Sequence, residues 1–537
     1  MTSRPDFEVA IIGAGLGGIG TAIALSKEGI DDFVILERAG DIGGTWRDNT
    51  YPGIAVDIPA QAYQFSYELK PTWSRVFARG SEVKAYVDQC ADNYYIRSHI
   101  RLNSEVMART WDEADQLWRL KIGEGKDSEE LTARFVVSAI GSFVEPKTVE
   151  IPGVDDFKGK ILHSARWDHD YDLSGKRVGI VGTGASAVQI IPEIAPVLEH
   201  LDVYQRTPIW VGPKIDPVMP ASLQRFFARF PGVQQQVRRF ATRVIEVGLV
   251  DLVRNHKKYP FFAKGAALLG RQLWYRIQVR DPELRKKLTP QYGIGCKRPS
   301  VSSNYLSTFN RPNVELITEP IEAITPKGVR TADGKERPVD ALILATGFRM
   351  SSDPENYRRT PVRGRDGFDL ATFYANTRLE SYEGVSIPKL PNHFMIFGPY
   401  GWTGGTWHVL VETASTHIVR VIKEAHRRGA VEVEVTQEAT DRWTGVMRER
   451  MSYSLFNTNN CSTANSYYFD HHGDTPFLRP TSAAEAWVAC TTFPFEDYVF
   501  TPSRVQTVVP IPTRDSIDLE ISDDLEISDI DVLEETS

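Results

Sequence analysis

A chain of 537 residues exceeds what one hydrophobic core organises, so about three or four domains are expected. With 42% apolar and 25% charged residues, no run of ~18 apolar residues and no leader-like start, it reads as a soluble, cytoplasmic globular protein. The net charge of −8 is concentrated at the end, where residues 515–537 hold ten acids and no Lys or Arg, leaving +2 on the body and nothing that suggests nucleic acid.

Two strand–glycine turn–helix openings organise the chain. The apolar run Phe7–Ile12 leads into Gly13-Ala14-Gly15-Leu16-Gly17-Gly18, a helical pattern through Lys27, and a strand, Phe33–Leu36, ending at Glu37. A buried strand at 135–140 closes this unit, and a Pro- and Gly-rich linker follows at 146–159. The second opening is Arg177–Val181, Gly182-Thr183-Gly184-Ala185-Ser186-Ala187, a helical stretch containing Gln189, and a strand ending at Gln205-Arg206-Thr207. Beyond Pro220 lies a helical stretch rich in cations and aromatics, including Phe226, Phe227, Phe230, Phe240, Phe261 and Phe262. It reads as an amphipathic cap packed on the second unit; a substrate entrance or a membrane-surface contact is the alternative. Strands resume at Val314–Ile317 and 341–345.

The expected fold is therefore α/β, with two Rossmann-like dinucleotide-binding domains and a helical insertion. The first domain takes residues 1–145 and 386–513, the second 146–215 and 291–385, and the insertion 216–290. The last stretch, 514–537, repeats Asp-Leu-Glu-Ile-Ser-Asp without aromatics and reads as a disordered acidic tail, with an acidic docking segment as the alternative. Cys90, Cys296, Cys461 and Cys490 lie far apart without a CxxC pair, so they read as reduced thiols, and no zinc site or redox dithiol is expected.

Each glycine in the turns has a separate task. Gly13 and Gly182 permit the tight turn, Gly15 and Gly184 admit a pyrophosphate, and Gly18, or Ala187 in the second copy, allows helix and strand to pack closely. The helix N-terminus then offers N–H groups and a positive dipole end to the phosphates. Glu37 stands 24 residues after Gly13, where an acid bonds ribose hydroxyls; Arg206 stands 24 residues after Gly182. A carboxylate there would repel a 2′-phosphate, whereas Arg206 with Thr207 binds one, so the second nucleotide is predicted to be NADPH. Lys214 reads as a solvated lysine, with a second positive charge at the 2′-phosphate site as the alternative.

Two such sites define a wide class of flavin enzymes. The segment 157–168 narrows it: Phe157, Gly159, His163, Trp167 and Asp168 match the FxGxxxHxxxW(P/D) fingerprint of type I Baeyer–Villiger monooxygenases, which the whole chain except the tail resembles. His163, in the linker, reads as a hinge or coupling residue. The resemblance implies FAD in the first site and flavin contacts from Gly44, Thr45, Trp46, Asp57, Tyr63 and Val106. Thr346-Gly347 resemble the strand end beside the flavin ring. Cys296-Lys297-Arg298-Pro299 resembles the segment carrying the family's catalytic arginine, assigned here to Arg298, with Asp57 holding it and Lys297 among the cofactor contacts.

The activity implied is insertion of an oxygen atom from O2 beside a ketone or aldehyde carbonyl, through a C4a-peroxide of the flavin, to give an ester or lactone. The alternatives are oxidation of amine nitrogen or sulfide sulfur by a related flavin-containing monooxygenase, and a flavoprotein that senses without catalysis. Aromatics at Tyr400, Trp402, Trp407 and 467–469 suggest bulky or aryl ketones.

Overall fold

The computed structural model describes residues 4–125, 128–147, 150–457 and 461–504, without the side chains of Leu249 and Phe262. The acidic tail lies outside the described residues. Phe7–Ile12 sits inside an eight-stranded sheet, parallel to Phe33–Leu36 on one side and to Glu129–Ser138 on the other. Val9 to Ile11 are fully buried there, as a strand covered on both faces requires. Three antiparallel strands, Val106–Asp112, Leu117–Ile122 and Glu129–Ser138, extend the sheet. Helix Leu16–Lys27 packs against helix Trp407–Arg428, and a Cβ on Gly20 would lie 2.5 Å from Val411. The C-terminal part of the chain thus completes the first domain.

The chain re-enters that domain earlier than residue 386, where the sequence reading placed the return. Val362–Arg363 pairs with Val106–Asp112, and Tyr357, Val362 and Leu370 join the core beneath this sheet. The short, irregular segments at 354–376 carry no strong periodicity, so only the long-range pairing reveals their allegiance.

The second sheet is wholly parallel: Val314–Ile317, His200–Tyr204, Arg177–Val181, Ala341–Leu344 and Lys160–His163. Helices from Ala221 to Leu288 interrupt it between Val211–Gly212 and Ser300–Val301, and these two short strands pair in parallel. The insertion therefore returns to the place it left, which holds Lys297 and Arg298 at the mouth of the second domain. No helix among the described residues is long and apolar enough to cross a membrane.

Candidate active site

The first glycine turn is closed. Gly13 has φ +101°, and a Cβ there would lie 2.9 Å from the Ala139 carbonyl oxygen; a Cβ on Gly18 would come within 1.9 Å of the Gly13 carbonyl oxygen. Gly15 faces Gly44, whose own Cβ would stand 3.2 Å from the Gly15 Cα, so the loop beginning Gly44-Thr45-Trp46 folds over the turn. Glu37 is buried and accepts from the Ala14 N–H at 2.8 Å, the Ala39 N–H at 3.0 Å and the Arg47 guanidinium at 3.0 Å. Trp46 donates to the Tyr63 hydroxyl at 3.2 Å, and the Tyr63 ring meets His408 edge-on. Val106 places its side chain in the core with Ile12 and Leu36.

The second turn is open. Gly182, φ +112°, packs on the Ala345 carbonyl, but a Cβ on Gly184 would meet nothing within 4 Å. Space therefore remains at the N-terminus of helix Ala185–Ile194, on which Ser186 and Gln189 lie and where Ala187 is buried. Thr183 donates to the Thr207 carbonyl at 2.9 Å and joins the turn to the end of the following strand. Arg206 is exposed there. Lys297 lies close to it, its ammonium depressed by burial and further by the Arg206 charge. Two cations thus converge at the far end of the second site. Gly347, with φ +86°, likewise has open space on its Cβ side, and its carbonyl accepts from Lys147 N–H at 2.9 Å.

The two halves meet along the loop at residues 51–57. Gln189 donates to the Ala55 carbonyl at 2.9 Å and accepts from the Tyr51 hydroxyl at 3.1 Å, so both ends of its amide bridge the domains. A Cβ on Gly53 would lie 2.6 Å from the Gln189 carbonyl oxygen. Asp57, next along this loop, receives Arg298 in a two-pronged pair, Nε to Oδ2 at 2.8 Å and Nη2 to Oδ1 at 3.0 Å. Burial alone would depress the Arg298 guanidinium, yet the Asp57 carboxylate raises it above its ordinary value. Burial alone would raise Asp57, and Arg298 turns that into a net lowering, with Lys214 adding to it. Both groups are held charged.

Arg298 lies over the Trp402 ring at 5.6 Å, and Tyr467 and Tyr468 are close enough to act on its charge. Trp402 stacks on Trp407 with centroids 5.3 Å apart. Beside the guanidinium opens a small cleft of about 50 Å³, walled by Val250, Val253, Phe456, Tyr468 and Leu478, with Arg254 and Arg479 also at its lining. Val250 and Val253 come from the helical insertion.

In the linker, a Cβ on Gly159 would lie 2.5 Å from both the Asp340 carbonyl and the Phe157 ring, so only glycine fits between them. His163 accepts from the Ala165 N–H at 3.0 Å and sits at the end of an edge strand, its imidazole depressed by burial and by Arg166. Asp168 pairs with Lys160, and Trp167 packs against the main core.

These features fit two dinucleotides. Both turns present glycines where a side chain would block a phosphate, and the open Gly184 turn leads towards the Arg206–Lys297 pair suited to an extra phosphate. Residues 10–246 match the family described as pyridine nucleotide-disulphide oxidoreductase. The chain is 39% identical to a Baeyer–Villiger monooxygenase of Pseudomonas aeruginosa, over 85% of this chain and 84% of that one. The chain belongs to the Baeyer–Villiger monooxygenases.

Solved structures agree. The fold superposes on OTEMO in complex with FAD and NADP with a TM-score of 0.81 at 29% identity, covering 93% of this chain and 100% of that one. Cyclohexanone monooxygenase of Rhodococcus sp., bound to NADP+, gives 0.81 at 27% identity with the same coverage. This Baeyer–Villiger monooxygenase is an NADPH-dependent flavoenzyme with FAD and NADPH as cofactors, so the reading as a non-catalytic flavoprotein falls away.

Two sequence readings are corrected. Cys296 and Cys461 are not reduced thiols: they form a disulfide across 165 residues, with Cα atoms 5.1 Å apart, while Cys90 and Cys490 are free and buried. It ties the arginine-bearing segment to the stretch leading to Tyr467 and Tyr468, and spacing alone carried no signal of it. Lys214 is not simply solvated. It is partly buried, its ammonium depressed by burial, and it lies near enough to Asp216 and Asp57 to feel their charge.

Proposed function

We propose that this Baeyer–Villiger monooxygenase acts on bulky, apolar ketones or aldehydes, with Arg298 as the catalytic residue and Asp57 as its positioning partner. FAD, reduced by NADPH, supplies the activation of O2. Arg298 supplies a permanent cation beside the cleft. It stabilises negative charge on the attacking oxygen and on the carbonyl oxygen as the new bond forms. Asp57 fixes the plane of the guanidinium through both prongs, so little reorganisation is needed when that charge develops. The apolar side chains beside Arg298 lower the local polarity, which strengthens the electrostatic contribution.

The observation that carries this reading is the Arg298–Asp57 pair. It joins the second domain to the first at one wall of an apolar cleft. Replacing Arg298 by Ala removes a donor worth about 3 kcal/mol, so ester formation should fall by about 10²–10³-fold while flavin reduction by NADPH persists. Product analysis on a ketone panel, with stopped-flow absorbance of the flavin, makes the measurement. Ester formation that survives the substitution removes Arg298 from the role. A thioether oxidised in place of every ketone would favour the amine- and sulfide-oxidising alternative.

A further inference from the structure

The helical insertion does more than cap the second domain. Its inward face is filled as expected, with Phe227, Ile245 and Tyr275 buried. Its outward face is not polar. Twelve of the twenty-four exposed large apolar side chains among the described residues fall between Phe226 and Ile277. In and beside helix Pro231–Ile245, Val233, Phe240, Val244 and Val247 are exposed at spacings of seven, four and three, which lines them along one stripe. The run from Pro260 to Gln278 repeats the pattern with Phe261, Leu268, Leu269, Leu273 and Ile277. Phe240 is 71% exposed and Leu269 66%, more than a cap packed on its own domain would show.

Charge follows the stripes. Residues 221–278 contain eleven Lys and Arg against two acids, in a chain of net charge −8. A cation directly precedes an exposed apolar residue six times: Arg225-Phe226, Arg229-Phe230, Arg239-Phe240, Arg243-Val244, Lys258-Tyr259 and Arg276-Ile277. Among the described residues, only Arg243 of these six cations has an ion-pair partner, Glu246 at 3.5 Å. A surface that is both apolar and cationic complements one that is both apolar and anionic. Eight of the eleven cations are exposed, so a second copy of the chain does not meet that need by a symmetric contact, which would set these cations against their own copies.

We infer that the helical insertion is a docking face for an anionic phospholipid surface. The exposed Phe and Leu side chains enter the headgroup–acyl boundary, and the adjacent Arg and Lys bind lipid phosphates. Val250 and Val253, in the same insertion, wall the cleft beside Arg298, so a substrate dissolved in the bilayer would reach the site through the docked element. The binding itself does not depend on the ketone reading.

Full-length holoenzyme is mixed with vesicles of phosphatidylcholine, alone or in equimolar mixture with phosphatidylglycerol, and sedimented. The mixed vesicles should capture roughly tenfold more protein than the neutral ones, and raising the ionic strength should release it. Either F240E/V244E or L269E/L273E should lower capture by about tenfold while NADPH oxidation with a soluble ketone stays unchanged. R229E/R239E, which leaves the apolar stripes intact, should remove the preference for phosphatidylglycerol. Absence of capture by both vesicles, or capture indifferent to all three variants, overturns the proposal. So does an oligomer, seen by sedimentation velocity without lipid, that the apolar variants dissociate, because the face would then be a self-interface.

Discussion

The two glycine turns have the same spacing yet differ in how closely the surrounding protein covers them. The first is roofed by the loop at Gly44, and its acid, Glu37, is buried and held by two backbone N–H groups and Arg47. The second leaves open space at Gly184, and its cation, Arg206, is exposed. A roofed site suits a resident cofactor, and an open one suits a cofactor that enters and leaves in each cycle. The same motif can thus serve a resident or an exchanging cofactor, because closure comes from the loops around it.

The largest expected effect is at the first turn. Gly18→Ala would drive a Cβ against the Gly13 carbonyl and should cost about 3 kcal/mol or more. The purified protein should lose its bound flavin absorbance and melt earlier; a yellow, fully stable variant would break the contrast between the sites. Next comes Arg206→Ala. Removing a charge-assisted contact to the 2′-phosphate should raise KM for NADPH by about 10–100-fold and leave NADH use nearly unchanged. Steady-state kinetics with both nucleotides decides it, and equal losses would assign Arg206 elsewhere.

Acidification should weaken the first domain in particular. His393, His408 and His417 lie in the segments that complete it, and burial holds all three well below the ordinary histidine value. The unfolded chain takes up protons near pH 6.5 while the folded chain does not. Stability is therefore complete above that pH and falls below it, with a limiting slope of about 1.4 kcal/mol per pH unit for each histidine. The exposed His426–Glu8 contact acts in the opposite sense, since Glu8 raises that imidazole. A melting temperature that does not fall from pH 7 to pH 5 would contradict the burial of the neutral rings. The smallest effect is Gly184→Ala. Its methyl enters open space, so thermal stability should be unchanged and only NADPH affinity should drop, as isothermal titration would register.

Much of the fold was legible because it is local. Strand, turn and helix follow each other within thirty residues in both units, and the acid or cation closing each unit stands at a fixed distance along the chain. The fingerprint glycine, Gly159, was equally legible, and its reason emerged as the lack of space between Phe157 and Asp340. The return to the first sheet at Val362 was not, because two-residue strands leave no periodic trace.

The amino-acid order by itself determined the two strand–turn–helix units and the acid or cation that closes each, since backbone turns and short-range charge depend on neighbours in the chain. Only the tertiary structure decided what Arg298 meets. Its pairing with Asp57 spans 241 residues, the Cys296–Cys461 bond spans 165, and the outward apolar face of the insertion appears only once its inward face is filled. Contacts of that range are selected by the packing of whole elements, which no local spacing encodes.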